Sequence, residues 1–169
     1  MIRTALMLWA AVLALLPAAD GGWPPSHARQ LAPLAGFVGA WQGTGTSQLG
    51  PYTETLSGEW ALNRTAIIVR TQSTAGGQTV FEDLRVFSYD PARDRLRLRQ
   101  WAFGDLIEYD VVVADDGRRL VASPTAQEGG VRAPWRYTWT LSEDGGIHYL
   151  VETQEGGAWS SYVTGTLRR

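Results

Sequence analysis

Cysteine and lysine are both missing from this chain. Without cysteine there is neither a disulfide framework nor an N-terminal thiol for lipid attachment, so stability has to come from a packed core. Without lysine every Schiff-base or lysine-base mechanism is excluded, and all 15 basic residues are arginine. Of the two histidines, His27 and His148, only His148 falls in a segment that reads as a strand. No Ser-His-Asp arrangement, metal-ligand spacing or diagnostic carboxylate pair is present, so no metal, cofactor or catalytic set is expected. A formal net charge of −2 leaves no broad basic surface, which argues against nucleic acid as a partner. Only one long apolar run occurs, Ala5 to Leu16, and it is too short to span a bilayer comfortably.

That run belongs to the opening stretch "MIRTALMLWAAVLALLPAAD", where Arg3, the apolar core and the small residues Ala18 and Ala19 occur in order. This is the layout of a secretory signal peptide over residues 1–19, implying export to the periplasm or beyond and cleavage near Ala19. A retained membrane-anchoring helix is the alternative. Residues 20–30, "DGGWPPSHARQ", read as a flexible lead-in. Residues 31–169 then form one domain, with no internal repeat or second boundary. Leu31, Leu34, Phe37 and Val38 recur at near-helical spacing and predict a short helix.

From Trp41 onward, short alternating segments rich in Thr, Val, Tyr and Trp are separated by turn signals. These are Gly50-Pro51, Asn63-Arg64, Gly76-Gly77, Asp90-Pro91, Gly104-Asp105, Asp116-Gly117, Asp144-Gly145 and Gly156-Gly157, with a longer break at Pro124 to Gly130. The pattern predicts an all-β meander of about ten strands. An even number of antiparallel strands lets the last pair with the first, giving a single closed antiparallel barrel without edges.

Centring each hairpin on its turn signal fixes which residues share a face. The reading pairs Trp41 with Trp60, Trp60 with Ile67, Val69 with Leu84, Val86 with Leu98, Ala102 with Ile107, Val113 with Leu120, Leu141 with His148 and Leu150 with Val163, with no parity slip. Trp41, Gly43, Gly45, Trp60, Trp139, His148 and Gly165 then face inward at the end closed by the helix. The glycines let strands curve and approach one another there. Glu54, Ser73, Glu82, Gln100, Tyr109, Trp135, Tyr137, Glu152 and Trp159 face inward at the other end. Such a mixed aromatic and polar set suits a binding mouth, and equally suits the filling of a tapered barrel.

The run Gly39-Ala40-Trp41 followed by Gly43 and Gly45, with a final strand ending Leu167-Arg168-Arg169, resembles the lipocalin-like (calycin) barrels. In those proteins an arginine near the chain end covers the first-strand tryptophan; here the resemblance implies that Arg168 or Arg169 covers Trp41. The chain looks most like an exported bacterial lipocalin-like domain of unknown function, and more distantly like the nitrobindin-type haem barrels. Those barrels take a proximal histidine from the closing strands, whereas "AWSSYVTGTLRR" has none. Tyr162 can in principle ligate ferric haem, but the register points it outward, so haem is not expected.

His148 opposite Gly165 reads either as a base or ligand or as a hydrogen-bonded core residue. Glu54, Glu82 and Glu152 form an acid–base group only if they converge. Arg95, Arg97, Arg99, Trp101 and Phe103 face outward beside Phe87 and Tyr89, as a protein-binding stripe or a solvated face. The leading expectation is an exported barrel, not an enzyme, that binds a partly apolar, neutral or cationic small molecule. The alternative is a filled barrel that contacts a protein partner through the stripe at Arg95, Arg97, Arg99 and Trp101.

Overall fold

The computed structural model describes residues 27–125 and 135–169. The signal-peptide reading of 1–19 and most of the lead-in lie outside the described residues. Residues 27–30 form a turn rather than a free tail, with the His27 amide donating to the Arg64 carbonyl at 3.2 Å.

Ten strands follow a short 3-10 helix over Ala32–Phe37: β1 (Gly39–Ser47), β2 (Gly50–Ala61), β3 (Ala66–Ala75), β4 (Gln78–Asp90), β5 (Arg95–Ala102), β6 (Asp105–Ala114), β7 (Arg119–Pro124), β8 (Trp135–Leu141), β9 (Ile147–Glu155) and β10 (Ala158–Arg168). Each pairs antiparallel with its chain neighbour, and β10 pairs with β1 to close the barrel. Closure removes the exposed edges that an open meander would present.

At the closed end the helix drops Leu34 and Phe37 into the core. The Phe37 ring stacks on Phe87 at 5.5 Å and meets Trp139 edge-on at 5.5 Å. Trp41 is buried beneath this layer. Its ring is covered by Arg169, whose guanidinium carbon lies 4.6 Å from the ring centroid and whose Nη2 donates to the Val38 carbonyl at 3.1 Å. Arg168 is not the covering residue: it points away and pairs with Asp144 at 2.6 Å, because Thr166, Arg168 and Thr164 share the outward parity of β10. Trp60 packs on the core edge, half-buried, under the Arg64 guanidinium.

The glycines of β1 are required by close approach. A Cβ on Gly43 would sit 1.8 Å from the Thr166 carbonyl oxygen. Gly45 pairs with Gly165 on β10, and the two flanking residues in the same cross-strand row are Tyr52 and Tyr149. Both tyrosine rings lie over the glycines, where a Cβ on either would come within 2.3 Å of the opposing tyrosine.

The register differs from the sequence reading at six places. The β1–β2 turn lies at 48–49, so Trp41 pairs with Leu56, not Trp60; the shift is even and keeps every residue on its face. The β5–β6 turn is displaced by one residue in the same harmless way, pairing Ala102 with Asp105. In β4 a bulge matches Ser73 with Phe81 and Thr74 with Thr79, leaving Val80 as an extra residue. Beyond it the strand is inverted: Asp83, Arg85 and Phe87 turn inward, and Glu82, Leu84 and Val86 turn outward. The β4–β5 connection is four residues long, pairs Val86 with Arg99 and Phe87 with Leu98, and so returns β5 to its expected facing after the inversion of β4. Between β8 and β9 the loop is five residues, Ser142 to Gly146, so Leu141 pairs with Ile147 and Trp139 with Tyr149. His148, Leu150 and Glu152 therefore face outward. A second bulge leaves Tyr162 unpaired on β10, which puts Trp159 outside while keeping Gly165 inside.

Trp41→Ala removes a buried aromatic from the closed end and is expected to lower stability by about 3–5 kcal/mol. The measurement is the denaturant midpoint, and a variant whose midpoint matches the parent contradicts the closing role of this residue.

Candidate functional site

Above the aromatic layer the barrel contains a buried polar floor. The bulge in β4 brings Asp83 and Arg85 inside, and the Arg85 Nε donates to Asp83 Oδ2 at 2.7 Å with both side chains shielded from solvent. Gln100, fully buried on β5, donates through Nε2 to Asp83 Oδ2 and to the Tyr137 hydroxyl at 3.0 Å, and its Oε1 accepts from Tyr109 at 2.9 Å. The Arg85 guanidinium carbon lies 5.1 Å from the Tyr137 ring centroid and 5.7 Å from that of Trp139. Asp83 Oδ1 and the Thr71 hydroxyl, cross-strand neighbours, have no partner among the described residues.

Glu54 forms the second half of the floor. Its Oε2 accepts from Ser73 Oγ and from the Tyr149 hydroxyl, each at 3.1 Å, and Tyr149 shares a 2.6 Å hydrogen bond with the Tyr52 hydroxyl. Burial pushes the Glu54 carboxyl above its ordinary value, against the pull of Arg85 and of the two hydroxyl donors. Burial likewise lifts Tyr52 to about 12 and raises Tyr149, whose hydroxyl also faces the Glu54 charge. For Arg85 burial works toward deprotonation, but Asp83 overrides it and holds the guanidinium charged.

This floor underlies a cavity of about 260 Å³ at the open end. Tyr52, Glu54, Ser73, Arg85 and Tyr149 line its base, Val151 and Val163 its walls, and Leu49, Val80, Phe81, Phe103 and Trp135 its rim. Phe103 stands in the β5–β6 turn with φ 55° and leans across the mouth, its ring 5.4 Å from Phe81 and 5.8 Å from Trp135. Two larger concavities, of about 710 and 700 Å³, are grooves bordered by outward side chains such as Thr44, Thr53 and Gln72.

The residues expected at the mouth divide accordingly. Glu54, Ser73, Trp135 and Tyr137 line the cavity, whereas Gln100 and Tyr109 are fully buried and bonded to each other in the floor, outside the cavity lining. Glu82 is not inside the barrel: the Val80 bulge turns it outward, where it accepts from Gln72 at 2.6 Å. Glu152 is not: the odd loop before β9 puts it on the outer wall, paired with Arg136 through two bonds of 2.7 and 2.8 Å. Trp159 is not, because it precedes the β10 bulge; Arg136 stacks over its outer face at 4.6 Å. The three glutamates therefore do not converge. His148 is exposed and bonds Thr166 Oγ1 at 2.9 Å, so it neither touches the plug nor faces the interior. His27 packs edge-on against Tyr89, so neither histidine offers an axial ligand to a haem in the interior. Tyr162, expected outside, lines the mouth through its bulge.

Arg95, Arg97 and Arg99 face outward as expected, and Trp101 is exposed beside them. They form a ladder with β6: Arg95 to Asp110 at 2.9 Å, Arg97 to Glu108 at 3.2 Å and Arg99 to Glu108 at 2.7 Å. Phe87, placed beside this stripe by the uninterrupted register, is instead buried, and Phe103 belongs to the mouth. The site residues the sequence reading missed are Tyr52, Asp83, Arg85 and Tyr149. One legible signal for the tyrosines was the row of two glycines on which they lie.

The raised Glu54 carboxyl sets a direction for stability against pH. The native state holds this proton more tightly than the unfolded chain, so stability falls as pH rises from the ordinary carboxylate value of 4.5 through the elevated native one. Glu54→Gln removes the titration. In thermal melts across this window, the difference in Tm between Glu54→Gln and the parent is expected to shift in favour of the variant as pH rises; a difference constant with pH contradicts the assignment.

No protein-family profile and no curated protein matches this sequence. Among solved structures a redesigned β-barrel is similar with a TM-score of 0.40 and 15% identity, over 86% of this chain and 98% of that one. The barrel is established by its own closed hydrogen-bond ladder.

Proposed function

We propose that this chain is an exported, lipocalin-like barrel that binds one small, partly apolar molecule in its open end. The observation that carries the reading is the 260 Å³ cavity, apolar at rim and walls, set on the buried Glu54–Ser73–Tyr149–Tyr52 cluster and on Arg85. Apolar walls with a few convergent polar groups are the usual chemistry of a ligand pocket, and the volume lies just below the roughly 300–1,000 Å³ of drug-sized sites. The occupant is therefore compact. Arg169 over Trp41 supports the lipocalin-like assignment, and the N-terminal sequence pattern supports export.

The floor also bears on ligand charge. Asp83 balances Arg85, and the raised Glu54 favours its neutral acid form. A neutral molecule that both donates and accepts hydrogen bonds suits this floor, and a cation gains from Glu54 once it ionises. An anion finds no net attraction there, since the charge of Arg85 in the lining is balanced by Asp83. The partner-surface reading has weaker support, since Arg95, Arg97 and Arg99 already spend their charge on Glu108 and Asp110, and exposed pairs of this kind are worth little.

Native mass spectrometry of protein from its own host is expected to show a small co-purifying molecule. With emptied protein, the neutral dye N-phenylnaphthylamine should bind saturably, more tightly than its sulfonate analogue. Val163→Trp fills the cavity and should abolish the signal in a folded protein. Absence of both a co-purifying molecule and saturable dye binding contradicts the reading, as does dye binding unaffected by Val163→Trp.

A further inference from the structure

We infer that the open end of the barrel docks on the surface of a neutral lipid bilayer, with Leu49, Val80 and Phe103 entering the interface. The three belong to different hairpins around one mouth and are 91%, 54% and 70% exposed. None of the three side chains belongs to the buried core. Leu49 is the tip of the β1–β2 turn, and Val80 is the unpaired bulge residue. Phe103 opens the two-residue β5–β6 turn with φ 55°, a position that such a turn fills best with Asn, Asp or Gly and that does not itself call for an aromatic.

The two ends of the barrel differ in charge as sharply as in apolar exposure. Among the described residues, the open-end turns carry only Asp105 and Glu155. The turns at the closed end carry Arg64, Arg93, Asp94, Asp115, Asp116, Arg118, Glu143 and Asp144, and Arg168 and Arg169 lie at that end too. The outer wall between the ends is crossed by the Arg–carboxylate ladder of β5 and β6. Such a wall cannot lie in hydrocarbon, where an ionised side chain is expensive, so only the end of the barrel can make the contact.

Isolated apolar tips on separate turns, with little charge between them, match an interfacial layer better than a protein groove, which needs a continuous core ringed by polar partners. The described open-end turns offer anionic headgroups two carboxylates and no cation, and so no attraction of their own. The lipid is therefore neutral or zwitterionic. This docking goes beyond the cavity reading and does not require the cavity to be filled; taken together, the two would let an amphiphile pass between bilayer and barrel through the Phe103 rim.

The test is flotation of the full-length mature protein with phosphatidylcholine vesicles. Binding is expected, and the double variant Leu49→Ser with Phe103→Asn should lower the partition coefficient at least tenfold, asparagine being tolerated in the left-handed turn. Leu62→Asn, which removes a leucine of 69% exposure at the closed end, should bind like the parent. Adding phosphatidylglycerol should not strengthen binding. No partition onto phosphatidylcholine, partition only when anionic lipid is present, or equal loss in Leu62→Asn overturns the inference. Val163→Trp should still float with the vesicles, so failure of the cavity reading is seen separately from failure of this one.

Discussion

Val80 is the residue that β4 has in excess over β3, and every side chain that follows it on the strand faces the opposite way from an unbroken ladder. The inversion places Asp83 and Arg85 in the interior and Phe87 against the closing helix. Burying an ion pair is not a route to stability, because the desolvation penalty offsets the Coulombic attraction, and well-packed apolar residues often do as well. The pair survives here in a tight set of bonds to Gln100, Tyr137 and Tyr109. Removing either partner would leave a charge uncompensated, at a cost of about 3–5 kcal/mol.

The barrel therefore divides its tasks along its axis. The closed half is an aromatic and aliphatic core in which Phe37, Phe87, Trp139 and Trp41 supply the apolar burial that a chain without disulfides depends on. The open half gives up packing for hydrogen bonds and space. The two are joined by the row Tyr52–Gly45–Gly165–Tyr149, where absent side chains on β1 and β10 let two tyrosines lie flat against the wall and meet at their hydroxyls. Glu54 then has a donor fixed in place at the base of the cavity.

Much of this was legible in the sequence. Turn residues at regular spacing marked ten strands, and Trp41 with Gly43 and Gly45 marked the start of a closed sheet. The facing of individual strands was less legible. Along "FEDLRVF" the two alternating sets are nearly matched: Leu84 and Val86 are as apolar as Phe81 and Phe87, so period two alone cannot choose between them. The sign of the bulge is in the ladder itself, where residues 66–75 of β3 meet residues 78–88 of β4, one residue more. Asp144-Gly145 looked like a two-residue turn, but Asp144 instead accepts from Ser142 Oγ and the Gly146 amide in a five-residue loop, and His148 and Glu152 were misplaced in consequence. The bulge at Tyr162 reversed parity once more, so Gly165 was placed correctly and Trp159 was not.

The most direct measurement of this account is proton exchange at the arginine side chains in nitrogen-15-labelled protein. The account predicts one Nε–H resonance strongly protected from exchange at neutral pH and absent from the Arg85→Gln spectrum, since the Arg85 Nε is buried against Asp83. Finding no protected arginine Nε–H, or one that survives Arg85→Gln unchanged, would contradict the inverted β4 and the polar floor built on it.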